Sequence, residues 1–134
     1  MRFSFDYDGT LADHFDGSPN DQKHLVIERL RQHQREGHEV FIVTKRYSPE
    51  NSSLGLVNEH IDPLRLASEL SIPGHRVVFT DRSLKADTLH RLGIHQHYDD
   101  CQHEADYFMR RFRGTSLRYV LVSRTPWATL APGT

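Results

Sequence analysis

The sequence predicts an α/β protein in which helices cover both faces of a mainly parallel β-sheet, a three-layer sandwich. Short apolar runs alternate along the chain with longer segments of helical character, which favours parallel strands joined by crossover helices. Residues 40–43 are apolar at every position, as is typical of a strand that is covered on both faces. No internal repeat or linker interrupts the alternation, so residues 1–134 are predicted to form one domain.

Five strands are predicted, at residues 2–5, 40–43, 77–79, 94–98 and 117–122. Most of these runs are rich in Val, Ile, Phe and Leu, which pack well on a pleated surface. The fourth run is less apolar, because His95, Gln96 and His97 interrupt it. The chain after Ser123 contains prolines and is predicted to be irregular.

Four helices are predicted, at residues 18–36, 62–72, 84–92 and 101–113. Ser18 and Ser83 are suited to the N-cap positions of the first and third helices. Glycines follow the first, third and fourth helices, where a C-terminal cap favours them. The fourth helix is the most amphipathic, with Ala105, Phe108 and Phe112 on one face.

The composition argues against several classes of protein. The net charge is −1 with histidine neutral, so bulk charge does not indicate a nucleic-acid or membrane partner. The single cysteine, Cys101, excludes both an intramolecular disulfide and a cysteine-based zinc cluster. No apolar run approaches transmembrane length and no signal peptide is recognisable, so a cytoplasmic location without a membrane partner is expected.

The chain also contains ten scattered histidines. None of them forms an HExxH pair or a similar helical metal-binding pattern. Solvent-exposed surface histidines are therefore favoured over a histidine metal site.

The sharpest functional pattern is the sequence FSFDYDGTLAD at residues 3–13, where an apolar run leads into Asp6, Asp8, Gly9 and Thr10. Parallel sheets bind ligands beyond the carboxyl ends of their strands. Two carboxylates at this spacing can share a hard cation such as Mg²⁺. One carboxylate can attack phosphorus while the other donates a proton and later accepts one from water. The alternative is an Asp-rich turn after an edge strand.

This stretch resembles the first motif of the haloacid dehalogenase superfamily, Asp-x-Asp-Gly-Thr, including the preceding strand and the following Leu11. The resemblance implies that Asp6 is the nucleophile and Asp8 the acid/base catalyst. It also implies that both bind Mg²⁺, Asp8 through its backbone carbonyl. Gly9, which lets the backbone turn sharply, is assigned to substrate binding.

A second family motif is an apolar strand that ends in Thr or Ser, and Thr44 occupies this position. The resemblance implies that its hydroxyl binds a phosphate oxygen, although Thr is also a common strand-end residue. Arg46 completes a Thr-x-Arg pattern similar to that of members acting on nucleotides or nucleic-acid ends. Lys45 and Arg46 are therefore either substrate-binding residues or solvated loop charges.

The third and fourth motifs follow in the order that the family requires. Lys85 lies in the first turn of the predicted third helix and would neutralise the phosphate and the nucleophile, with Arg82 as the alternative. Asp99 and Asp100 follow the fourth strand and complete the predicted Mg²⁺ ligands with Asp6. Asp100 could equally be a helix N-cap, and which of the two acids contacts the metal stays open.

The resemblance covers residues 3–100 and implies a Rossmann-like sheet of five strands in the order 5-4-1-2-3. Neither gap between the motifs is long enough for a cap domain, so a capless member is expected. Its open site indicates a large substrate or a loop supplied by a partner subunit. The implied activity is Mg²⁺-dependent hydrolysis of phosphate monoesters through an aspartyl-phosphate, on nucleotides or nucleic-acid 3′-phosphate ends. A phosphotransferase and a non-catalytic binding module on the same fold are the alternatives.

Overall fold

A six-stranded β-sheet forms the centre of the computed structural model, which describes residues 1–131. Its strands are β1 (Arg2–Phe5), β2 (Glu39–Thr44), β3 (Val77–Phe79), β4 (Gln96–Asp99), β5 (Arg118–Leu121) and β6 (Ala128–Leu130). The sheet order is β3-β2-β1-β4-β5-β6. The pairs among β1 to β5 are parallel, and β6 pairs antiparallel with β5. The predicted α/β class with a mainly parallel sheet is thus confirmed.

The sixth strand corrects the predicted strand count. The order 5-4-1-2-3 lacks β6, so the observed order, read from the same side, is 6-5-4-1-2-3. β6 lies in the segment that was predicted to be irregular. Its Leu130 and Ala128 pair with Tyr119 and Leu121 of β5. A three-residue strand carries little periodic signal, and only its pairing with β5 reveals it. Residues 132–134, the end of the predicted irregular tail, lie outside the described residues.

Four helices connect the strands: α1 (Lys23–Arg35), α2 (Ile61–Glu69), α3 (Ala86–Arg91) and α4 (Gln102–Arg111). α1 begins at Lys23 and not at the predicted Ser18. Ser18 bonds to Asp16 Oδ1 through both its backbone nitrogen and its hydroxyl, at 2.9 and 2.7 Å, and therefore belongs to the preceding loop. Among residues 1–131, no helix combines the length and the apolar character required to cross a membrane.

The strand β2 shows how the helices cover both faces of the sheet. Val40 and Ile42 pack in a core cluster with buried residues of α1 and α2, whereas Phe41 and Val43 pack in a second cluster with residues of α3 and α4. Successive strand residues point to opposite faces, so the apolar run at residues 40–43 supplies both clusters. The three-layer arrangement predicted from this run is confirmed.

The sheet order decides where the functional side chains meet. β1 lies between β2 and β4, and all three strands are parallel. Their carboxyl ends therefore lie at one edge, where Asp6 follows β1 and where Thr44 and Asp99 end β2 and β4.

Candidate active site

A buried ion-pair cluster lies at the carboxyl ends of β1 and β4. The Lys85 ammonium donates to Asp6 Oδ1 at 2.6 Å and to Asp99 Oδ2 at 2.7 Å. All three side chains are at least nine-tenths buried. The helix α3 begins at Ala86, so Lys85 lies at its N-cap position and not within its first turn as predicted from sequence. The backbone nitrogen of Lys85 donates to the Glu104 carboxylate at 3.1 Å, which holds this segment against α4.

The two carboxylates are not electrostatically equivalent. Burial and the neighbouring Asp99 charge raise the pKa of Asp6 well above its ordinary value, although Lys85 opposes the effect. Burial also acts on Asp99, but Lys85 and a hydrogen bond from His97 hold the pKa of Asp99 well below its usual range. Burial would lower the pKa of Lys85, yet the two carboxylates together raise it. A second cation beside Asp6 would therefore stabilise its charged form.

Asp100 completes a three-carboxylate group suited to a metal ion. One oxygen each of Asp6, Asp99 and Asp100 lie within 4.8 Å of one another. These hard oxygen donors are the ligands that Mg²⁺ prefers. When ionised, the three carboxylates carry more negative charge than the single positive charge of Lys85 neutralises. The donor set thus fits Mg²⁺. Binding through the Asp8 carbonyl stays a prediction.

The backbone at Gly9 passes directly over this group. Its φ angle is +73°, and a Cβ atom there would collide with the Asp100 carboxylate and lie 2.7 Å from His14 Nδ1. Only glycine combines this conformation with such a close approach. Gly9 therefore lets the backbone lie against the Asp100 carboxylate, and its predicted contact with substrate stays a prediction.

Asp8 pairs with Arg46. The guanidinium donates from Nε to Asp8 Oδ2 at 2.9 Å and from Nη2 to Asp8 Oδ1 at 2.7 Å, and it also donates to the Glu59 carbonyl at 2.6 Å. It lies over the rings of Tyr7 and Phe15, at 5.0 and 4.9 Å from their centroids. In this structure Arg46 therefore holds the predicted acid/base residue, and its own binding of substrate stays a prediction.

The remaining predicted residues occupy different surroundings. Thr44 is buried, and its hydroxyl accepts a hydrogen bond from the Arg46 backbone nitrogen at 3.3 Å. Lys45 is partly exposed, with its ammonium 3.6 Å from Glu104 Oε1. Arg82, the alternative to Lys85, pairs with Glu59 at 2.8 Å. Lys85, not Arg82, is thus the basic residue that contacts Asp6.

Two residues of the cluster were missed by sequence analysis. His97 is fully buried, where the sequence pattern favoured an exposed histidine, and that expectation is wrong at this position. Its ring contacts Ser4 Oγ at 2.6 Å through Nδ1 and Asp99 Oδ2 at 2.8 Å through Nε2. Thr10 donates from its hydroxyl to Asp6 Oδ2 at 3.1 Å. The spacing of His97 and Asp99, two residues apart on one strand, places them on the same face and could have indicated this contact.

A cavity of about 480 Å³ opens beside Asp8. Its lining includes Tyr7, Asp8, Phe15, Lys23, Arg46 and Asp62. It adjoins the predicted acid/base carboxylate and is large enough for a small organic group.

No protein-family model matches this chain, and a search of curated proteins finds no match to it. The resemblance to the haloacid dehalogenase superfamily stays a prediction that rests on the four motifs.

The Mg²⁺ ligands can be tested by titration. We expect Asp6→Asn and Asp99→Asn each to weaken Mg²⁺ binding by roughly tenfold or more, because each removes a charged oxygen ligand. Isothermal titration calorimetry measures the affinity, with the exposed Asp21→Asn as a matched control. Ca²⁺ should occupy the same site but support turnover poorly, since its coordination is looser. Unchanged Mg²⁺ affinity in both variants would contradict this assignment.

Proposed function

We propose that this protein is a Mg²⁺-dependent phosphohydrolase that cleaves phosphate monoesters through an aspartyl-phosphate on Asp6. The observation that carries the proposal is the buried group of Asp6, Asp99 and Lys85, with Asp100 beside it, at the carboxyl ends of parallel strands. A nucleophilic carboxylate, a fixed cation and further oxygen ligands are the components that phosphoryl transfer requires.

In the first step, an Asp6 carboxylate oxygen forms a bond to phosphorus. The ester P–O bond breaks, and the leaving oxygen keeps the electron pair of that bond. Asp8 donates a proton to this oxygen. In the second step, a water oxygen attacks phosphorus and the bond to Asp6 breaks, while Asp8 accepts the proton of that water. The products are an alcohol and inorganic phosphate, and both aspartates return to their initial states.

Several residues of the chain prepare Asp6 for this attack. Mg²⁺ held by Asp6, Asp99 and Asp100 would supply charge neutralisation for the phosphate oxygens. Thr10 orients one Asp6 oxygen, and Lys85 holds the other. Fixed groups of this kind stabilise the developing charge without reorganising during the reaction.

The Asp8–Arg46 pair implies a change of partners when substrate binds. The Arg46 guanidinium donates to both Asp8 oxygens, so neither is available to a leaving oxygen while this pair persists. We therefore expect an incoming phosphate to draw the Arg46 guanidinium away from Asp8, since phosphate matches its bidentate donors. Asp8 is then free to contact the leaving oxygen.

This exchange predicts the effect of Arg46→Ala. Removing a charge-assisted contact to substrate should raise KM by roughly tenfold or more. Arg46→Lys should restore little of the loss, because an ammonium lacks the paired donors. Steady-state kinetics on the best substrate measure KM and kcat, and the exposed Arg110→Ala serves as the control. An unchanged KM would mean that Arg46 acts on Asp8 alone.

The proposed substrate is a nucleotide or a nucleic-acid 3′-phosphate end. The cavity beside Asp8 is bordered by Phe15, whose ring is about half exposed. The Arg82 guanidinium lies over the rings of Phe15 and Tyr47, at 5.4 and 4.6 Å from their centroids. Aromatic rings and guanidinium groups of this kind can stack on any nucleic-acid base, so the contact does not depend on the nucleotide sequence. No separate cap domain covers the site within residues 1–131, which leaves room for a large substrate.

A phosphate-release screen with Mg²⁺ tests the proposed function. The substrates are nucleotides, sugar phosphates, phosphopeptides and 3′-phosphorylated DNA, and Asp6→Asn provides the background. Phosphate release by the natural sequence, absent from the variant, is the expected result. Release no greater than that of Asp6→Asn on every substrate would favour a non-catalytic module. Transfer of phosphate to an added alcohol in preference to water would instead identify a phosphotransferase. A preference for sugar phosphates would contradict the proposed substrate class alone.

A further inference from the structure

The C-terminal end of α1 folds the chain back so that three potential metal ligands meet. The His38 backbone nitrogen donates to the His33 carbonyl at 3.0 Å, and that of Gly37 donates to the Gln34 carbonyl at 3.0 Å. This pair of bonds is a Schellman cap, and Gly37 allows it because its φ angle is +83°. The cap brings His38 over the last turn of the helix, beside His33 and Glu36.

The donor atoms of these residues converge. His33 Nδ1 lies 3.8 Å from Glu36 Oε1, and His38 Nε2 lies 3.9 Å from the same oxygen. One donor atom from each of the three residues lies within 4.8 Å of the other two. His33 is 8% exposed, and its Nδ1 is buried without a hydrogen-bond partner among the described residues. A buried polar nitrogen without a partner is costly, and an ion at this position would satisfy it.

We propose that His33, Glu36 and His38 form a binding site for one divalent transition-metal ion of the Zn²⁺ type. Two imidazoles and a carboxylate are ligands that Zn²⁺ binds well, whereas Mg²⁺ prefers oxygen ligands alone. Tetrahedral coordination needs donor atoms about 3.3 Å apart, from Zn²⁺ bond lengths of about 2.0 Å. The Glu36 and His38 side chains are about half and about one-quarter exposed, so both are free to move the short distance that remains. A water molecule completes the fourth position.

Surrounding residues already orient the two rings. The His33 ring stacks on Phe3 with centroids 3.7 Å apart, and its Nε2 lies 2.9 Å from the Tyr98 hydroxyl. With Nδ1 on the ion, Nε2 keeps its proton and donates to that hydroxyl, an outer contact typical of metal-binding histidines. His38 Nδ1 contacts the Met1 nitrogen at 3.3 Å, which leaves Nε2 directed at Glu36.

The site is separate from the proposed active site. His38 precedes β2, whereas Thr44 and the ion-pair cluster lie at the carboxyl ends of the strands. The two groups of metal ligands therefore lie at opposite ends of the parallel strands, one at the amino ends and the other at the carboxyl ends. They also differ in donor chemistry, so that one protein binds two different ions without competition.

Calorimetric titration of the full chain with ZnCl₂ in saturating Mg²⁺ tests this site. One Zn²⁺ ion should bind per chain, and Glu36→Gln and His38→Ala should each weaken the affinity by about tenfold or more. The exposed His103→Ala should leave it unchanged. Circular dichroism tests whether each variant is folded. Both variants should be folded, because the substituted side chains are partly exposed. His33 is not substituted, because its ring packs in the core.

A thermal melt gives a second readout. Zn²⁺ should raise the Tm of the natural sequence and of His103→Ala, but not that of His38→Ala, because only a native-state ligand stabilises the fold. Three results would overturn the proposal: no Zn²⁺ binding by the natural sequence below millimolar concentration, equal binding by Glu36→Gln and His38→Ala, or loss of Zn²⁺ binding in Asp6→Asn.

Discussion

Replacing Asp6 with Asn should abolish the hydrolysis of phosphate esters while leaving the protein folded. The amide oxygen cannot form the aspartyl-phosphate, so kcat is expected to fall on the order of 10⁵-fold, as for the loss of other nucleophiles. Lys85 and Thr10 contact the two Asp6 oxygens at 2.6 and 3.1 Å. In the variant the amide oxygen still accepts from Lys85, and the amide NH2 group donates to the Thr10 hydroxyl. Stability should therefore be retained.

One measurement and one control variant make this test specific to the nucleophile. Acid quench of the natural sequence during turnover should trap phosphate on the protein, and Asp6→Asn should trap none. Asp21→Asn, an exposed substitution, should behave as the natural sequence does. Substantial turnover by folded Asp6→Asn would exclude this mechanism, because the aspartyl-phosphate forms on the Asp6 carboxylate.

Replacing Lys85 with Met should strongly destabilise the fold. Lys85 is 3% exposed and pairs with both Asp6 and Asp99, so its loss leaves two carboxylates buried without their fixed cation. Breaking a buried ion pair from one side costs about 3–5 kcal/mol of unfolding free energy. Urea denaturation in the absence of divalent metal, followed by circular dichroism, measures the effect. Activity should fall as well, because the Asp6 carboxylate loses the group that orients it.

A double variant separates the charge effect from the loss of packing. Adding Asp6→Asn to Lys85→Met removes one uncompensated charge and should recover part of the lost stability. Lys23→Met is the matched control, because the Lys23–Asp13 pair is largely solvated and contributes little. If Lys85→Met were as stable as Lys23→Met, the cluster would not depend on its ion pairs. If the double variant were less stable than Lys85→Met, repulsion between the carboxylates would not be the cause.

Local sequence was sufficient to predict the edge of the sheet at which the candidate site lies. Asp6, Thr44 and Asp99 each follow or end an apolar run, and parallel strands end at a common edge. The apolar run of β2 likewise predicted a sheet covered on both faces. These inferences depend on features within a few residues of one another, which propensity and periodicity describe well.

Element boundaries and the sixth strand needed tertiary contacts. Ser18 lies in the loop before α1, because its backbone nitrogen and its hydroxyl both donate to Asp16. A residue typical of a helix N-terminus is therefore part of a turn here. β6 exists because Tyr119 and Leu121 of β5 offer a free edge for pairing. Neither outcome follows from the propensity of the segment itself.

The partners of the charged residues were decided by tertiary structure alone. The sequence placed Asp8 and Arg46 in the same site, but only the packing of their loops directs the guanidinium onto that carboxylate, across 38 positions of the chain. His97 is buried against Asp99 because β4 lies inside the sheet, a position that its polar sequence did not indicate. The sequence by itself determined which chemical groups reach the edge of the sheet, because strand ends are local. The three-dimensional fold decided which of those groups are paired, since burial and sheet register bring together residues that are distant in the chain.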